Sequence, residues 1–536
     1  MSRRRQQTVP GTGGAQDAPG VWERARRESL MRNRRGPTRR PTSGEGGAYK
    51  PKAKGYRAGR ESEGPVVPER AEARTPPEGS GPALVAPTTG GKCEGMAARP
   101  NTPFDKARKL QRGLFVAAKR SRTRRFHALF DRICRGDVLA EAWRRVKSNR
   151  GAAGIDGETL SMIEQGGEEK FLLEIQQRLR TGRYRPHPVR RRYIPKPDGT
   201  SRPLGIPTVR DRVVQAAAKI VIEPLFEADF KECSYGFRPK RSATDALEAI
   251  RLLGNRGHRH VVDGDIKSYF DTIDHGNLME LVRRRISDRR VLKLLRQWLK
   301  AGVMEEGAVR HTILGSPQGG VISPLLANIY LDALDGIWER HCQQLGTLVR
   351  YCDDFVVLCR TRSQANEAMR RLEIIMDRLR LKLHPEKTRI VELGLDGGGF
   401  DFLGCHLRIV RSAFTGRTYL FRWPSQKSMK RIRERIRGLT DRRQRGGMKD
   451  IRDVIQDLNP VLRGWGHYFR TGNASRRFQR IDLYTRRRLV GLMAKRGGDR
   501  RKPFRAREWP HERFVKDHGL YRLLGTIRYP GGANAA

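Results

Sequence analysis

Apolar residues are sparse and aperiodic up to about Pro103, where the chain is rich in Gly, Pro, Arg, Ser and Glu. Such a stretch buries too little surface to offset chain entropy, which predicts disorder over residues 1–103. From Phe104 onward the pattern changes. Phe126, Leu129, Phe130 and Ile133, then Leu139, Ala142, Trp143 and Val146, fall at helical spacing interrupted by Gly136. The run from Asp211 to Phe226 is apolar nearly throughout and reads as a buried helix ended by Pro224. His260-Val261-Val262 forms an apolar strand running into Asp263-Gly264-Asp265. Thr347–Tyr351 and Phe355–Cys359 are two β-branched runs flanking a polar break, the mark of a hairpin with Asp353 and Asp354 at its turn. Ala368, Leu372, Ile375, Met376 and Leu379 mark an amphipathic helix. Beyond Trp423-Pro424 the pattern is helical and basic. Met429, Ile432, Ile436 and Leu439 make one stripe among arginines, and Phe478, Ile481, Tyr484 and Leu489 another beside Arg486, Arg487 and Arg488.

Charge narrows the class. Lys and Arg total 110 against 58 Asp and Glu over 536 residues, a formal charge of +52 spread along the chain, so the natural partner is a polyanion held over an extended footprint. No apolar run approaches the ~20 residues that span a bilayer, so no membrane partner is expected. An arginine-rich transit peptide is disfavoured by Asp17, Glu23, Glu28 and the many prolines and glycines. The seven cysteines lie scattered with no C-x-x-C pair, which argues against a zinc module or a disulfide framework and for a reducing, cytoplasmic setting.

Candidate chemistry centres on the aspartates. Two carboxylates side by side on a stiff hairpin repel unless a cation lies between them. Alone, an Asp-Asp pair is more readily a solvated turn. Asp265, at the end of a second strand, changes the balance, because two-metal phosphoryl transfer needs carboxylates converging from separate segments. Pro197-Asp198-Gly199 predicts a hairpin whose arms hold Lys196 and Arg202 near the turn, suited to a triphosphate, with Arg190 as a further cation. Ser234-Tyr235-Gly236-Phe237-Arg238-Pro239 offers rings for bases and a guanidinium for phosphates.

Tyr351-Cys352-Asp353-Asp354 resembles the Y-x-D-D signature of reverse transcriptases, and Asp265 with Phe270 resembles their first catalytic strand. The S-Y-G-F-R-P block, Pro317-Gln318-Gly319, Phe402-Leu403-Gly404 and Arg463-Gly464-Trp465-Gly466-His467-Tyr468 follow in the order found in the reverse transcriptase/maturase of group II introns. The loop Asn149–Gly157 resembles that family's N-terminal extension.

The resemblance implies an α+β right-hand polymerase of fingers, palm and thumb with an α-helical maturase (X) domain. The expected order is a disordered basic region (1–103), a helical RNA-binding extension (104–184), fingers and palm (185–410), thumb and maturase domain (411–499), and a short basic C-terminal segment (500–536) that is a candidate DNA-binding element. It implies that Asp265, Asp353 and Asp354 hold two Mg2+ ions, with Mn2+ an alternative, and that Lys387 protonates the leaving pyrophosphate. Lys196, Arg202, Arg190, Phe270 and Gln318 would contact the dNTP, the Phe270 ring excluding a 2′-hydroxyl. Tyr235, Phe237, Arg238, Phe402, Leu403 and Gly404 would follow template and primer, and Arg463, Gly464, Trp465 and Tyr468 would serve RNA binding by the maturase domain. The implied partners are group II intron RNA, target DNA, dNTPs and an RNA–DNA hybrid, in the bacterial cytoplasm at the nucleoid. Residues 500–536 hold no Cys/His cluster of an HNH endonuclease, so second-strand cleavage is not expected. Two alternatives stay open: a splicing factor with an idle polymerase, and a reverse transcriptase recruited to phage defence.

Overall fold

The computed structural model describes residues 102–195, 201–305, 308–310, 319–396, 398–413, 415–441, 450–494 and 508–528. Residues 1–101 of the predicted disordered region, Lys196, Gln318, the side chain of Arg202 and part of 500–536 lie outside the described residues, while Thr102 caps and Pro103 begins the Pro103–Arg120 helix.

Two hydrophobic cores share one sheet. The palm sheet has the strand order β6-β7-β3-β8, built from β3 (His260–Asp265), β6 (Thr347–Tyr351), β7 (Asp354–Cys359) and β8 (Arg389–Glu392), all antiparallel. Side chains alternate across a strand, so each strand feeds both cores. Val262, Leu348, Phe355 and Val357 enter one core, lined by the helices Val209–Glu227, Ser323–His341 and Arg362–Arg378. Val261, Val349, Val356 and Leu358 enter the other, shared with the sheet β9 (Phe400–Phe402), β10 (Cys405–Arg411), β11 (Thr418–Pro424) and the C-terminal helices. The aspartates fall on this second face.

The Val209–Glu227 helix is buried nearly all round and is the spine of the first core. Thr208 caps it, its Oγ1 accepting from Asp211 N at 3.1 Å. Pro224 does not end the helix but lies inside it. A proline donates no N–H to the carbonyl four residues back, and Gln111 supplies the missing donor, its Nε2 reaching Ile220 O at 3.2 Å. Gln111 belongs to the Pro103–Arg120 helix, so this repair also docks the start of the described chain. Phe126 is in no helix; it bridges Ile286 as a β-pair.

The fingers sheet is built from β1 (Val189–Pro195), β2 (Ser201–Ile206), β4 (Val303–Glu305) and β5 (Ala308–Arg310) in the order β2-β1-β4-β5, with β1 antiparallel to β2 in the register Arg190↔Ile206 to Pro195↔Ser201. Towards the C-terminal end the helices Gln426–Leu439, Ile451–Phe469 and Ser475–Ala494 pack as a bundle. Of the expected C-terminal segment, residues 508–528 pack on that bundle. Phe514, Leu520 and Leu523 are buried in the second core, and Asp482 accepts from Leu523 N and Leu524 N at 3.1 and 2.9 Å.

Candidate active site

The three aspartates meet. Antiparallel pairing of β3 with β7 sets Asp265 directly opposite Asp354, and Asp354 in turn faces Tyr351 across β6. Gly264 makes this register possible, because a Cβ there would lie 2.3 Å from the buried ring of Phe355. Asp263, two residues before Asp265, lies on the same face.

The cluster carries uncompensated negative charge. Although the Asp354 side chain opens onto the cleft, loss of water around its carboxyl, then Asp353, Asp265 and Asp263, push it up to about 6 against the opposing pull of Lys387. Burial first, then Asp265 and Asp401, push Asp263 up to about 6 despite Arg389. Hard carboxylate oxygens are the donors a divalent ion such as Mg2+ or Mn2+ prefers, and the raised Asp354 marks a place where positive charge is wanted. As placed, the side chains do not yet close on an ion: among the described residues no three His, Cys, Asp or Glu groups are gathered tightly enough. The Lys387 ammonium instead pairs with Asp265 Oδ2, and it is the nearest cation to the cluster's first carboxylate. The donor set therefore fits a divalent metal in kind, with Lys387 holding part of its place. Asp265 is also fixed through its backbone, Asp265 O accepting from His384 N at 2.7 Å; only the main chain of His384 is used.

The Cys352–Asp353 turn is held from beneath by Arg350 and its buried partners. Cys352 sits at φ +58°, a left-handed conformation costly for a residue with a Cβ. Its carbonyl accepts from Arg350 Nη1 at 3.0 Å. Arg350 and Asp335 are both fully buried. The guanidinium has five N–H donors, and each has an acceptor: Asp335 Oδ1 at 2.8 Å, Asp335 Oδ2, Asn328 Oδ1 at 3.1 Å, Cys352 O and Ser234 Oγ at 2.8 Å. The legible signal was three polar residues, Asn328, Asp332 and Asp335, at spacings of four and three on one side of a largely apolar helix.

The Tyr235–Pro239 loop is welded to this turn. Tyr235 N donates to Arg350 O at 2.9 Å and Asn328 Nδ2 to Gly236 O at 2.8 Å. A Cβ on Gly236 would meet Cys352 N and Sγ at 2.4 Å. Of the loop's expected template contacts, Phe237 is 48% exposed, and Tyr235 is half-buried beneath Arg241. Arg238 departs from expectation: it is buried, its guanidinium paired with Glu227 and bonded to the carbonyls of Lys231 and Ser234.

Phe270 is half-buried at the mouth of the first core, its ring 5.5 Å from that of Tyr269, whose hydroxyl donates to Ala327 O at 2.6 Å. Arg190 is half-buried on β1, with its Nε enclosed and without a hydrogen-bond partner among the described residues. Phe402 is core and offers no side chain to a primer. Leu403 and Gly404 form the positive-φ turn between β9 and β10, and their carbonyls accept from Tyr468 Oη at 2.8 Å and from Ser428 Oγ at 2.7 Å. Trp465 points inward, packed on Phe469 and Phe478 at 5.0 and 5.4 Å between ring centres, and Arg463 lies over the Tyr521 ring. Trp465 and Tyr468 thus help build the bundle and brace the Leu403 turn, while Tyr468 stays 39% exposed. Gly464 faces open space.

One basic surface remains open. A groove of about 280 Å3 runs between the Gln426–Leu439 and Ser475–Ala494 helices, lined by Arg433, Arg477, Arg480, Tyr484 and Arg487. Arg477 lies over Trp423, and none of these arginines is ion-paired to a carboxylate among the described residues. Their neighbours Arg486 and Arg488 turn instead to the Trp509 carbonyl and to Thr440.

A palm sheet with carboxylates meeting on adjoining strands, a fingers hairpin and a basic helical bundle together define a template-directed polymerase of the right-hand class. The family profile described as reverse transcriptase (RNA-dependent DNA polymerase) matches residues 194–407, and that of the group II intron maturase-specific domain matches residues 429–509. Protein YkfC of Escherichia coli is 37% identical over 360 residues, 60% of this chain and 93% of that protein. The group II intron-encoded protein LtrA of Lactococcus lactis is 43% identical over 214 residues, 39% of this chain and 35% of LtrA. An uncharacterized 91 kDa protein in the cob intron of Schizosaccharomyces pombe is 28% identical over 410 residues, covering 63% of this chain and half of that protein. The chain belongs to the group II intron-encoded reverse transcriptase/maturase family, and it is an RNA-directed DNA polymerase with a maturase domain. No helix among the described residues is long and apolar enough to cross a membrane.

Proposed function

We propose that this chain binds its own group II intron RNA, assists its splicing, and copies it into DNA at a target site in the bacterial cytoplasm at the nucleoid. Asp265, Asp353 and Asp354 would hold two Mg2+ ions, which would supply activation of a hydroxyl nucleophile and charge neutralisation at the phosphates. The chain's own residues do the rest. Lys387, which pairs with Asp265, gives a proton to the departing pyrophosphate. Lys196, Arg202 and Arg190 clasp the triphosphate, Gln318 contacts the nucleotide, and the Phe270 ring excludes a 2′-hydroxyl. Phe237 and Tyr235 seat the template, and the turn at Leu403 and Gly404 passes close to the primer backbone. The arginine groove between the two bundle helices takes nucleic-acid phosphates, since guanidinium groups without a protein counter-charge are suited to a phosphodiester chain.

The observation that carries this reading is the Asp265–Asp354 pairing beside Asp353. The test is primer extension by the full chain on an RNA template with a DNA primer and dNTPs in Mg2+. Asp354→Asn is expected to lower the rate by on the order of 10²–10³-fold, as loss of one preorganised charge-stabilising group does. DNA synthesis at the unsubstituted rate by that variant would overturn the reading.

A further inference from the structure

Asn328 is 1% exposed and joins the two halves of the polymerase centre through one amide. Its Nδ2 donates to Gly236 O in the template loop, and its Oδ1 accepts from Arg350, which also holds the Cys352 carbonyl of the aspartate turn. Ser234, the loop's buried first residue, gives a second tie, its Oγ accepting from Arg350 Nη2. A backbone bridge between Ser234 and Arg350, and the absence of room for any Cβ at Gly236, leave no slack between loop and turn. Asp335 neutralises the guanidinium from the far side, and all five guanidinium donors are used. A buried guanidinium hydrogen-bonded on every side is rigid in a way that apolar packing is not, because each bond has a direction.

The geometry points to Asn328, Arg350 and Ser234 as positioning residues that make the template loop and the metal-bearing turn one body, so that seating of the template fixes where Asp353 and Asp354 stand. The Tyr235–Pro239 loop and the Cys352–Asp353 turn then cannot move independently, and a template base resting on Phe237 is held in constant relation to the carboxylates. None of the three residues touches the substrate; they act through Gly236 and Cys352. This inference rests on the polymerase reading and adds to it which residues set the carboxylates' position.

The test uses Asn328→Leu, which keeps the volume and removes both hydrogen bonds, and Ser234→Ala, a milder variant in case the first does not fold. Two readouts are taken on the full chain: primer extension as a function of dNTP and Mg2+ concentration, and Mn2+ binding followed by electron paramagnetic resonance. The expected result for Asn328→Leu is a fall in kcat of about 100-fold, the scale for a misplacement near 1 Å. The KM for dNTP stays within about twofold, and the Mn2+ dissociation constant rises several-fold; Ser234→Ala shows the same signs, smaller. Asn328→Asp, which keeps the Arg350 bond and loses the bond to Gly236 O, is expected to retain Mn2+ affinity while kcat falls. A folded Asn328→Leu or Ser234→Ala variant with unchanged kcat and Mn2+ affinity overturns the inference, and so does a kcat that falls only in proportion to the folded fraction. Mn2+ binding needs no turnover, so a chain inactive on RNA templates would sink the polymerase reading while the Mn2+ series still decided this one.

Discussion

Arginine does opposite work in the palm and in the helical bundle. Arg350 is fully buried, all five of its donors engaged, and its charge is matched by Asp335. Arg480 and Arg487 stand exposed on the groove and face other arginines. Enclosure and the charges of Arg480 and Arg476 even push the Arg477 guanidinium below its ordinary range. The same side chain therefore fixes geometry where it is paired and dry, and awaits a polyanion where it is unmatched and wet. The distinction lies in burial and partners, and counting basic residues does not reveal it.

The strongest way to break the comparison is to remove one partner in the palm. Arg350→Met leaves Asp335 buried without a counter-charge and is expected to destabilise by about 3–5 kcal/mol, the usual consequence of splitting a buried pair. Urea unfolding of the full chain measures it. The double variant Arg350→Met/Asp335→Leu should recover much of that stability while leaving primer extension impaired, because the Cys352 carbonyl still lacks its donor. Equal recovery of stability and activity would mean that the pair only stabilises the fold.

The bundle predicts a smaller, salt-linked effect. Arg480→Gln/Arg487→Gln should leave stability within about 0.5 kcal/mol, as surface substitutions usually do. Nucleic-acid affinity should fall about tenfold near 0.15 M salt, and the slope of log K against log salt should drop by roughly 1.5–2 if two phosphates are lost. Filter binding of an RNA–DNA hybrid and of an RNA stem-loop across a KCl series reads both numbers and shows which of the two occupies the groove. An unchanged slope for both probes would return these arginines to an ordinary solvated face.

Most of the polymerase framework was legible in the sequence, for a local reason. Continuous apolar runs with acidic ends mark the strands, so β3, β6 and β7 could be read directly, whereas the face the aspartates take could not, because both faces of the sheet are buried. Side-chain roles were less legible because they depend on distant partners. Arg238 looked like a phosphate contact until Glu227, eleven residues earlier on another element, claimed it. Trp465 looked like part of an RNA-reading signature, yet its ring faces Phe469 and Phe478. Pro224 looked like a helix stop because nothing local announced that Gln111 would satisfy the orphaned carbonyl. The C-terminal stretch looked detachable because its few apolar residues, Phe514 and Leu523 among them, meet their partners only in the fold.

The smallest predicted effect follows from the carboxylates themselves. Asp354 and Asp263 are each raised to about 6 in the fold from an ordinary value of 3.8. Between those values the folded chain binds more protons than the unfolded one, so stability falls as pH rises through about 4 to 6 and is level above. The metal-free protein should thus melt at a slightly higher temperature near pH 5 than near pH 7, against the usual acid-side loss from paired carboxylates elsewhere. Asp354 opens to the cleft, and water screening keeps its share small. The difference between wild type and Asp354→Asn, taken across the pH series in chelator, isolates that share from the background. Adding Mg2+ should raise the melting temperature more at pH 7 than at pH 5, since only the ionised carboxylates bind the ion. A metal effect independent of pH would mean that the divalent ion sits elsewhere, and the palm would then lose the electrostatic feature that sets it apart from the bundle.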